Sequence, residues 1–315
     1  MSQEKRKRVW VTGGAGFLGP HLIDRWIERN ADVVAIDNFV NGRPEHLERF
    51  HGKPNFIFAE GDIRDPVFLA GVAKAHPPDL VYHLAAHHFI PYCIANPAET
   101  LLVNVVGTQR LLDALDGTPV SRFVLASTAD VYATSDIPHS ETDSLGSTNI
   151  YGISKLLCEN LIALAQKRFP GVKFFATRFF NIFGPGETNP HVIPDILNGL
   201  KQGNVLRLGN LSPLRDYVHT SDVAEMLLKL AEYVGSERIF NVGTGVGSSV
   251  TDLLRTLEKI LGRSIRVETD PAKIRPVERQ YLVANISKAQ EEVGWAPNIS
   301  LEKGLKELVG VELSV

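Results

Sequence analysis

The sequence has few cysteines, no long apolar run and no strong excess of charge of either sign. Two cysteines among 315 residues are too few for a disulfide framework. No apolar segment approaches the roughly 20 residues that a membrane-spanning helix needs, so we expect no membrane partner. The net charge of −3 gives no electrostatic basis for binding nucleic acid. We interpret the basic run at residues 5–8 as a solvated lead-in to the first strand.

The composition is that of an ordinary globular protein, with 44 % hydrophobic and 22 % charged residues. The N-terminal segment lacks the small-residue cleavage site of a secretory signal, so we expect a cytoplasmic protein. The adjacent His87 and His88 have no third ligand at a plausible spacing, and we expect no metal site.

A glycine-rich turn follows the first apolar strand, Val9 to Val11, and leads into a helix predicted from Phe17 to Arg29. In such a turn the first glycine permits the tight bend, the second lets the backbone approach a pyrophosphate and the third lets the helix pack closely. The helix N-terminus then presents N–H groups to the phosphates. The glycines stand at Gly13, Gly16 and Gly19.

A second apolar strand, residues 32–36, ends in Asp37, at the position where an acid binds a ribose 2′-hydroxyl. Strand, turn, helix, strand and acid together predict a dinucleotide site. Because Asp37 would repel a 2′-phosphate, we expect NAD rather than NADP, with Arg43 the nearest cation that could weaken this preference.

Strands and helices alternate five times by residue 126, which predicts an α/β fold with a Rossmann-like doubly wound parallel sheet. Asp62 could cap the helix 66–75, contact an adenine edge, or do both. The small residues Ala85 and Ala86 end a buried strand, as expected where a ligand lies against the backbone. Asn104 is the polar exception on a helix predicted over 97–115 and could be exposed.

Tyr151 and Lys155 are four residues apart and project from one face of a predicted helix that extends to about residue 169. An ammonium near a phenol favours the phenolate, so we expect the pKa of Tyr151 to be lowered, which would suit a base. The strand at residues 122–126 delivers Ser127, Thr128 and Asp130 to the same sheet edge as the glycine turn.

This combination resembles the extended short-chain dehydrogenase/reductase family, in its nucleotide-sugar epimerase and dehydratase branch. The matching segments cover nearly the whole chain: 12–19, 37–39, 61–63, 83–86, 151–155, 178–181, 215–219 and 275–276. The resemblance implies an NAD-binding domain over 1–178, joined by 215–243, and a smaller substrate-binding lobe over 179–315.

The resemblance also implies roles for individual residues. Tyr151 would take a proton from a sugar hydroxyl while NAD⁺ takes the hydride, Lys155 would hold the nicotinamide ribose, and Thr128 would bind the reacting hydroxyl. The remaining cofactor ligands would be Gly13, Gly16, Phe17, Leu18, Gly19, Asp37, Asn38, Phe39, Asn41, Gly42, Asp62, Ile63, Leu84, Ala85, Ala86 and Asn104. The nucleotide sugar would contact Ser127, Thr128, Asn181, His191, Val192, Arg215, Arg275 and Glu278.

Three functions remain open from the sequence. A 4-epimerase would return the hydride to the other face of a transient 4-keto sugar, and the short, uninterrupted chain favours it, with UDP as the first choice of nucleotide from family frequency. A dehydratase or a UDP-glucuronate decarboxylase would use Asp130, although Ala129 and Ala133 depart from the dehydratase pattern. A non-catalytic NAD-binding scaffold is the third possibility. By resemblance, the helices 97–115 and 151–169 would pair across a two-fold axis in a homodimer.

Overall fold

The structure is a computed structural model that describes residues 6–203, 205–273 and 279–313. Its strands are β1 (Arg8–Thr12), β2 (Asp32–Asp37), β3 (Phe56–Glu60), β4 (Leu80–His83), β5 (Arg122–Thr128), β6 (Lys173–Phe179), β7 (Asn181–Phe183), β8 (Val205–Leu208), β9 (Leu214–His219), β10 (Ile239–Val242), β11 (Gly247–Ser248), β12 (Arg266–Thr269) and β13 (Tyr281–Leu282).

The helices are α1 (Gly19–Glu28), α2 (Pro66–Ala75), α3 (Ile90–Ala95), α4 (Pro97–Leu101), α5 (Gly107–Ala114), α6 (Ile150–Arg168), α7 (Val192–Gln202), α8 (Thr220–Leu230), α9 (Val250–Leu261), α10 (Ser287–Val293) and α11 (Leu301–Glu312). A π-helical segment, Leu102–Val106, joins α4 to α5. Short 3₁₀ turns lie at Pro44–His46, Glu48–Phe50, Ala129–Val131 and Pro271–Lys273. No helix in the described part of the chain combines the length and apolar character that a bilayer span requires.

The chain divides into two compact units. The first contains the residues up to Val131 together with Leu145–Arg178 and Met226–Phe240. The second contains Tyr132–Ser144, Phe179–Glu225 and the chain from Asn241 onward. Residues 132–144 therefore belong to the second unit, although they lie within the range 1–178 expected for the NAD-binding domain.

The first unit is built on a seven-stranded sheet in the order β10-β6-β5-β4-β1-β2-β3, which confirms the predicted doubly wound parallel sheet. β1 pairs in parallel with β2 and with β4, and Thr12 at its end lies opposite Ile36 and His83. Because the chain winds outward from β1 in both directions, the strand order reverses between β1 and β4. In such sheets the ligand site lies outside the carboxyl ends of the strands at this reversal.

The strands of this sheet are apolar along most of their length because helices cover both faces. Trp10, Val34 and Phe123 on the strands pack with Leu111 of α5 and Ile162 of α6 in one core, all five side chains being buried. This core fixes the helices relative to the sheet and so positions the loops at its carboxyl edge.

The second unit combines a four-stranded sheet, in which β9 pairs with β7, β11 and β13, with the two-stranded sheet of β8 and β12. Its core joins α7, α9 and α11 through Ile196, Leu253 and Leu305. The Asp222 carboxylate accepts from the backbone N–H groups of Asn298 and Ile299, at 3.0 and 2.9 Å, and holds the turn before α11.

Candidate active site

The glycine turn joins β1 to α1 at the carboxyl edge of the sheet. The Gly13 and Gly14 N–H groups both donate to the Ile36 carbonyl, at 2.8 and 3.2 Å. Gly13 has a φ of +71°, and a Cβ there would lie 2.7 Å from the Ala85 nitrogen, so only glycine fits. A Cβ on Gly19 would clash with the Gly14 carbonyl oxygen, so glycine at this position lets α1 pack closely against the turn.

The start of α1 differs from the prediction by two residues, because Phe17 and Leu18 remain in the turn and the helix begins at Gly19. Leu18 is buried, whereas Gly16 and Phe17 are partly exposed. The Gly16 N–H donates to the Gly13 carbonyl at 3.1 Å. No side chain caps the first turn of α1, so its N–H groups are available to an anion.

The Asp37 carboxylate at the end of β2 is held in one position. It accepts from the Ala15 N–H at 3.0 Å and from the Phe39 N–H at 2.9 Å. Phe39 has a φ of +56°, an uncommon conformation for a bulky residue. A Cβ on Gly42 would lie within 2.9 Å of both carboxylate oxygens, so the loop closes tightly over Asp37. Burial raises the pKa of Asp37.

Asp62 does not cap α2, and that part of the prediction was wrong. Asp65 caps it instead, accepting from two N–H groups of the first turn at 2.8 and 3.1 Å. Asp62 accepts from the Arg64 guanidinium at 3.0 and 2.7 Å and from the Asn38 amide at 3.0 Å. The Arg64 guanidinium beside Asp62 holds the pKa of that carboxyl below its ordinary value. The neighbouring Ile63 is buried in the core.

The residues after β4 lie against the glycine turn. Leu84, Ala85 and Ala86 are partly exposed there. The Leu84 N–H donates to the Thr12 carbonyl at 3.1 Å, and the Ala85 N–H donates to the Thr12 hydroxyl at 3.3 Å. The structure thus brings the predicted small residues next to Gly13 at the reversal of strand order.

Asn41 and Asn104 meet at His87, just beyond these small residues. The Asn41 amide lies 3.1 Å from Nδ1 of His87. The Asn104 side chain accepts from the His87 N–H at 2.8 Å and donates to the His87 carbonyl at 2.9 Å. The loop after β2 and the loop after β4 are therefore both tied to this histidine.

Asn104 is 1 % exposed, so the alternative that it faces solvent was wrong. It lies in the π-helical segment that interrupts the helix predicted over 97–115, and π-bulges are frequent at functional sites. Its amide donates to the Ser154 hydroxyl at 2.8 Å, and that hydroxyl donates to the Tyr151 carbonyl at 2.7 Å. Asn104 therefore links the loop after β4 to the first turns of α6.

The structure places Thr128, Tyr151 and Lys155 near one another. Thr128 is the last residue of β5, and its side chain lies near enough to the Tyr151 side chain to lower the pKa of that phenol. Lys155 lies one turn along α6 from Tyr151 and is only 2 % exposed. A hydroxyl, a phenol and an amine are thus grouped at the carboxyl edge of the sheet, an arrangement suited to moving one proton.

The expectation that the pKa of Tyr151 is lowered was wrong for this structure. Burial raises it, and the negative charge of Asp130 raises it further, whereas the hydrogen bond with Thr128 lowers it. Burial also lowers the pKa of Lys155. Desolvation therefore outweighs the effect expected from the four-residue spacing, because both side chains lie against the protein interior.

Ser127 does not present its hydroxyl to the sheet edge. The hydroxyl donates to Oε1 of Glu159 at 2.5 Å. Glu159 also forms a buried ion pair with Arg178, whose Nε and Nη2 lie 3.0 and 2.7 Å from its two carboxylate oxygens. The Ser127 hydroxyl thus binds the buried Glu159–Arg178 ion pair. This contact does not fit the predicted contact of Ser127 with substrate.

The other predicted substrate ligands belong to the second unit. Asn181 begins β7, and Arg215 lies on β9 with its guanidinium donating to the Leu214 carbonyl at 3.0 Å. His191 precedes the first residue of α7, Val192, and its ring contacts the Glu187 carboxylate. Two further predicted ligands lie outside the described residues, Arg275 and Glu278.

A family model described as GDP-mannose 4,6 dehydratase matches residues 10–308. The chain belongs to the nucleotide-sugar epimerase and dehydratase family of extended short-chain dehydrogenases/reductases. The chain is 31 % identical over 311 residues to UDP-glucose 4-epimerase of Lacticaseibacillus casei, covering 92 % of each protein. It is 32 % identical over 322 residues to UDP-glucuronic acid decarboxylase 1 of Arabidopsis thaliana, covering 97 % of this chain and 69 % of the relative.

Solved structures of epimerases have the same fold. The UDP-glucose 4-epimerase of Thermotoga maritima, solved with UDP-glucose, gives a TM-score of 0.88 at 30 % identity over 95 % of this chain and 96 % of that one. The enzyme of Bifidobacterium longum, solved with NAD⁺ and UDP, gives 0.87 at 27 % identity over 98 % of each chain. The chain therefore shares the fold of these epimerases over almost its whole length.

Two residues near the site, Arg64 and Asn149, were missed by the sequence analysis. Arg64 binds Asp62 and also pairs with Glu99 at 2.7 Å, and Asn149 caps α6 by accepting from the Gly152 N–H at 2.9 Å. A signal existed for Asn149, because asparagine is a favoured cap and it stands directly before the predicted helix. Arg64 carries no comparable local signal.

Proposed function

We propose that the chain is an NAD-dependent nucleotide-sugar 4-epimerase, acting on a UDP-hexose or UDP-hexuronate through a transient 4-keto sugar. The observation that carries this proposal is the grouping of Thr128, Tyr151 and Lys155 at the sheet edge formed by the glycine turn. The epimerases of Lacticaseibacillus casei and Thermotoga maritima support the choice of reaction.

The residues at the sheet edge fit NAD. The uncapped first turn of α1 suits a pyrophosphate, and any side chain at Gly13 or Gly19 would fill the turn. The carboxylate of Asp37 is an acceptor for a ribose hydroxyl and repels a 2′-phosphate. When bound, NAD supplies reversible hydride acceptance.

The chain's own residues handle the proton. Tyr151 takes it from the sugar hydroxyl and returns it after the keto sugar has turned. Thr128, whose side chain lies next to Tyr151, orients that hydroxyl. The Lys155 ammonium stabilises the phenolate, which desolvation at the partly exposed Tyr151 side chain otherwise disfavours.

The first unit would bind NAD and the second would bind the nucleotide diphosphate. The planar guanidinium groups of Arg215 and Arg275 suit bidentate binding of phosphate. Asn181, His191 and Val192 would contact the nucleotide sugar, and Glu278 would contact the nucleotide ribose.

A dehydratase or decarboxylase is the second candidate. It is favoured by the similarity to the Arabidopsis thaliana decarboxylase and by Asp130, whose N–H donates to the Thr128 hydroxyl at 3.2 Å. Here the Asp130 carboxylate would exchange a proton with the substrate after oxidation.

We also propose a homodimer. Apolar side chains on α6 recur every third or fourth residue and stay exposed, among them Ile153, Leu157 and Leu164. Leu102 and Val106 of the π-helical segment are exposed as well, at 47 % and 39 %. Such faces are typical of helix pairing. Light scattering should give a dimer, and a monomer would contradict this.

The reaction is tested by proton NMR of the protein with a panel of nucleotide sugars in D₂O. Interconversion of C4 epimers without solvent deuterium supports the epimerase. A 4-keto-6-deoxy product carrying deuterium, or a pentose with release of CO₂, supports the second candidate. Binding of NAD without turnover of any nucleotide sugar would point to a scaffold.

A further inference from the structure

Asp130 and Asn149 form a contact that joins the turn after β5 to the start of α6. The Asn149 side-chain amide donates to Oδ1 of Asp130 at 3.3 Å. The Asn149 side-chain oxygen accepts from the Gly152 N–H at 2.9 Å and so caps the helix. One asparagine thus connects the Asp130 carboxylate to the turn that carries Tyr151.

The first turn of α6 packs closely against the backbone of Asp130. A Cβ on Gly152 would lie 2.5 Å from the Asp130 carbonyl oxygen, so α6 begins directly against the turn after β5. Thr128, two residues before Asp130, lies next to Tyr151 and accepts from the Asp130 N–H at 3.2 Å. A shift of Asp130 would therefore disturb the first turn of α6, which carries Tyr151.

We propose that Asp130 is a positioning residue of the epimerase, acting through the Asn149 cap to fix the first turn of α6 and with it the Tyr151 hydroxyl. This inference rests on the proposed 4-epimerase function. It assigns a role to Asp130 that needs no proton transfer to the sugar.

The charge of Asp130 has a second, separable effect. Among the described residues, the titratable groups whose charges act on Tyr151 are Asp130 and the thiols of Cys93 and Cys158, and Lys155 lies one turn along α6. Burial raises the pKa of both thiols, so they stay neutral at physiological pH. Asp130 is the carboxylate in this set, and its charge raises the pKa of Tyr151.

Two substitutions separate position from charge. Asp130→Asn keeps an oxygen that can accept from Asn149 but removes the charge, whereas Asp130→Ala removes both. Asp136→Asn, at an exposed aspartate, is the matched control for loss of one negative charge. The readouts are kcat with its pH profile, and amide hydrogen exchange of a peptide covering 150–157.

For Asp130→Ala we expect faster amide exchange in the first turn of α6 and a fall in kcat of about tenfold or more, because misplacing a catalytic group by ~1 Å can cost about 100-fold. For Asp130→Asn we expect the amide exchange rate and kcat to stay near those of the wild type. Its activity should rise at lower pH than in the wild type, because the phenol loses its proton more easily.

A loss of about 100-fold or more in Asp130→Asn, with normal amide exchange, would overturn the proposal, because that is the contribution of a proton-transfer group. Unchanged kcat and exchange in Asp130→Ala would also overturn it. If the wild type turns over no nucleotide sugar, the proposed function fails instead. Hydrogen exchange would still decide whether Asp130 holds the start of α6.

Discussion

His83 should make the stability of the first unit depend on pH below neutrality. It is fully buried at the end of β4, between the hydroxyls of Thr12 and Thr108, at 2.7 and 2.8 Å from its two ring nitrogens. Burial lowers the pKa of His83 to about 3, from 6.5 in the unfolded chain. Below pH 6.5 the unfolded chain therefore binds a proton that the folded protein does not, and stability falls as the pH falls.

The size of this effect follows from the two pKa values. One pKa unit corresponds to about 1.4 kcal/mol, so lowering the pH from 7 to 5 should cost about 2 kcal/mol through this one histidine. The measurement is urea denaturation at both pH values, followed by tryptophan fluorescence, since Trp10 and Trp26 are buried in the first unit. In His83→Gln this part of the loss should disappear.

The comparison between variants isolates His83 from the other groups that titrate. His51→Asn, at an exposed histidine, is the control and should keep the wild-type pH dependence. If wild type and His83→Gln lost the same free energy of unfolding between pH 7 and 5, to within about 0.5 kcal/mol, His83 would not be buried in the neutral form and the reasoning would be refuted.

Three other substitutions test the site. Tyr151→Phe should lower kcat by about 1,000-fold while NAD still binds, and an active variant would exclude the phenol as the proton acceptor. Gly42→Ala should weaken NAD binding about tenfold in calorimetry, because its Cβ crowds the Asp37 carboxylate. Gly71→Ala, with open space around it, is the control. Equal NAD affinities of Gly42→Ala and the wild type would contradict the expectation. Glu159→Gln should destabilise the first unit by about 3–5 kcal/mol in urea denaturation because it breaks a buried ion pair, and a loss below ~1 kcal/mol would contradict this.

The parts of the site that the sequence predicted depend on local geometry. The glycine spacing and the acid at the end of the second strand lie within one strand–helix–strand unit, so chain order places them together. The spacing of Tyr151 and Lys155 needs only a helix to place both on one face. The cap of α2 was also within reach, because Pro66 at its first turn favours the residue directly before it, Asp65, over Asp62.

The parts that the sequence did not predict depend on tertiary packing. The apolar spacing over 97–115 indicates a helix, but the π-helical segment within it directs Asn104 into the interior. Likewise, the Tyr151–Lys155 spacing indicates an ammonium that favours the Tyr151 phenolate, but it carries no information on the desolvation of either side chain. The desolvation of both side chains depends on strands and helices distant in the sequence.

The buried ion pair next to the site connects stability with catalysis. Glu159 lies one turn after Lys155 on α6, and its charge raises the pKa of the lysine that burial lowers. The same carboxylate neutralises Arg178 through two hydrogen bonds. A buried carboxylate would be costly without that arginine, and the charge of Glu159 in turn favours the protonated amine that the phenolate needs. Glu159→Gln should therefore also lose activity at a lower alkaline pH than the wild type, because Lys155 gives up its proton sooner.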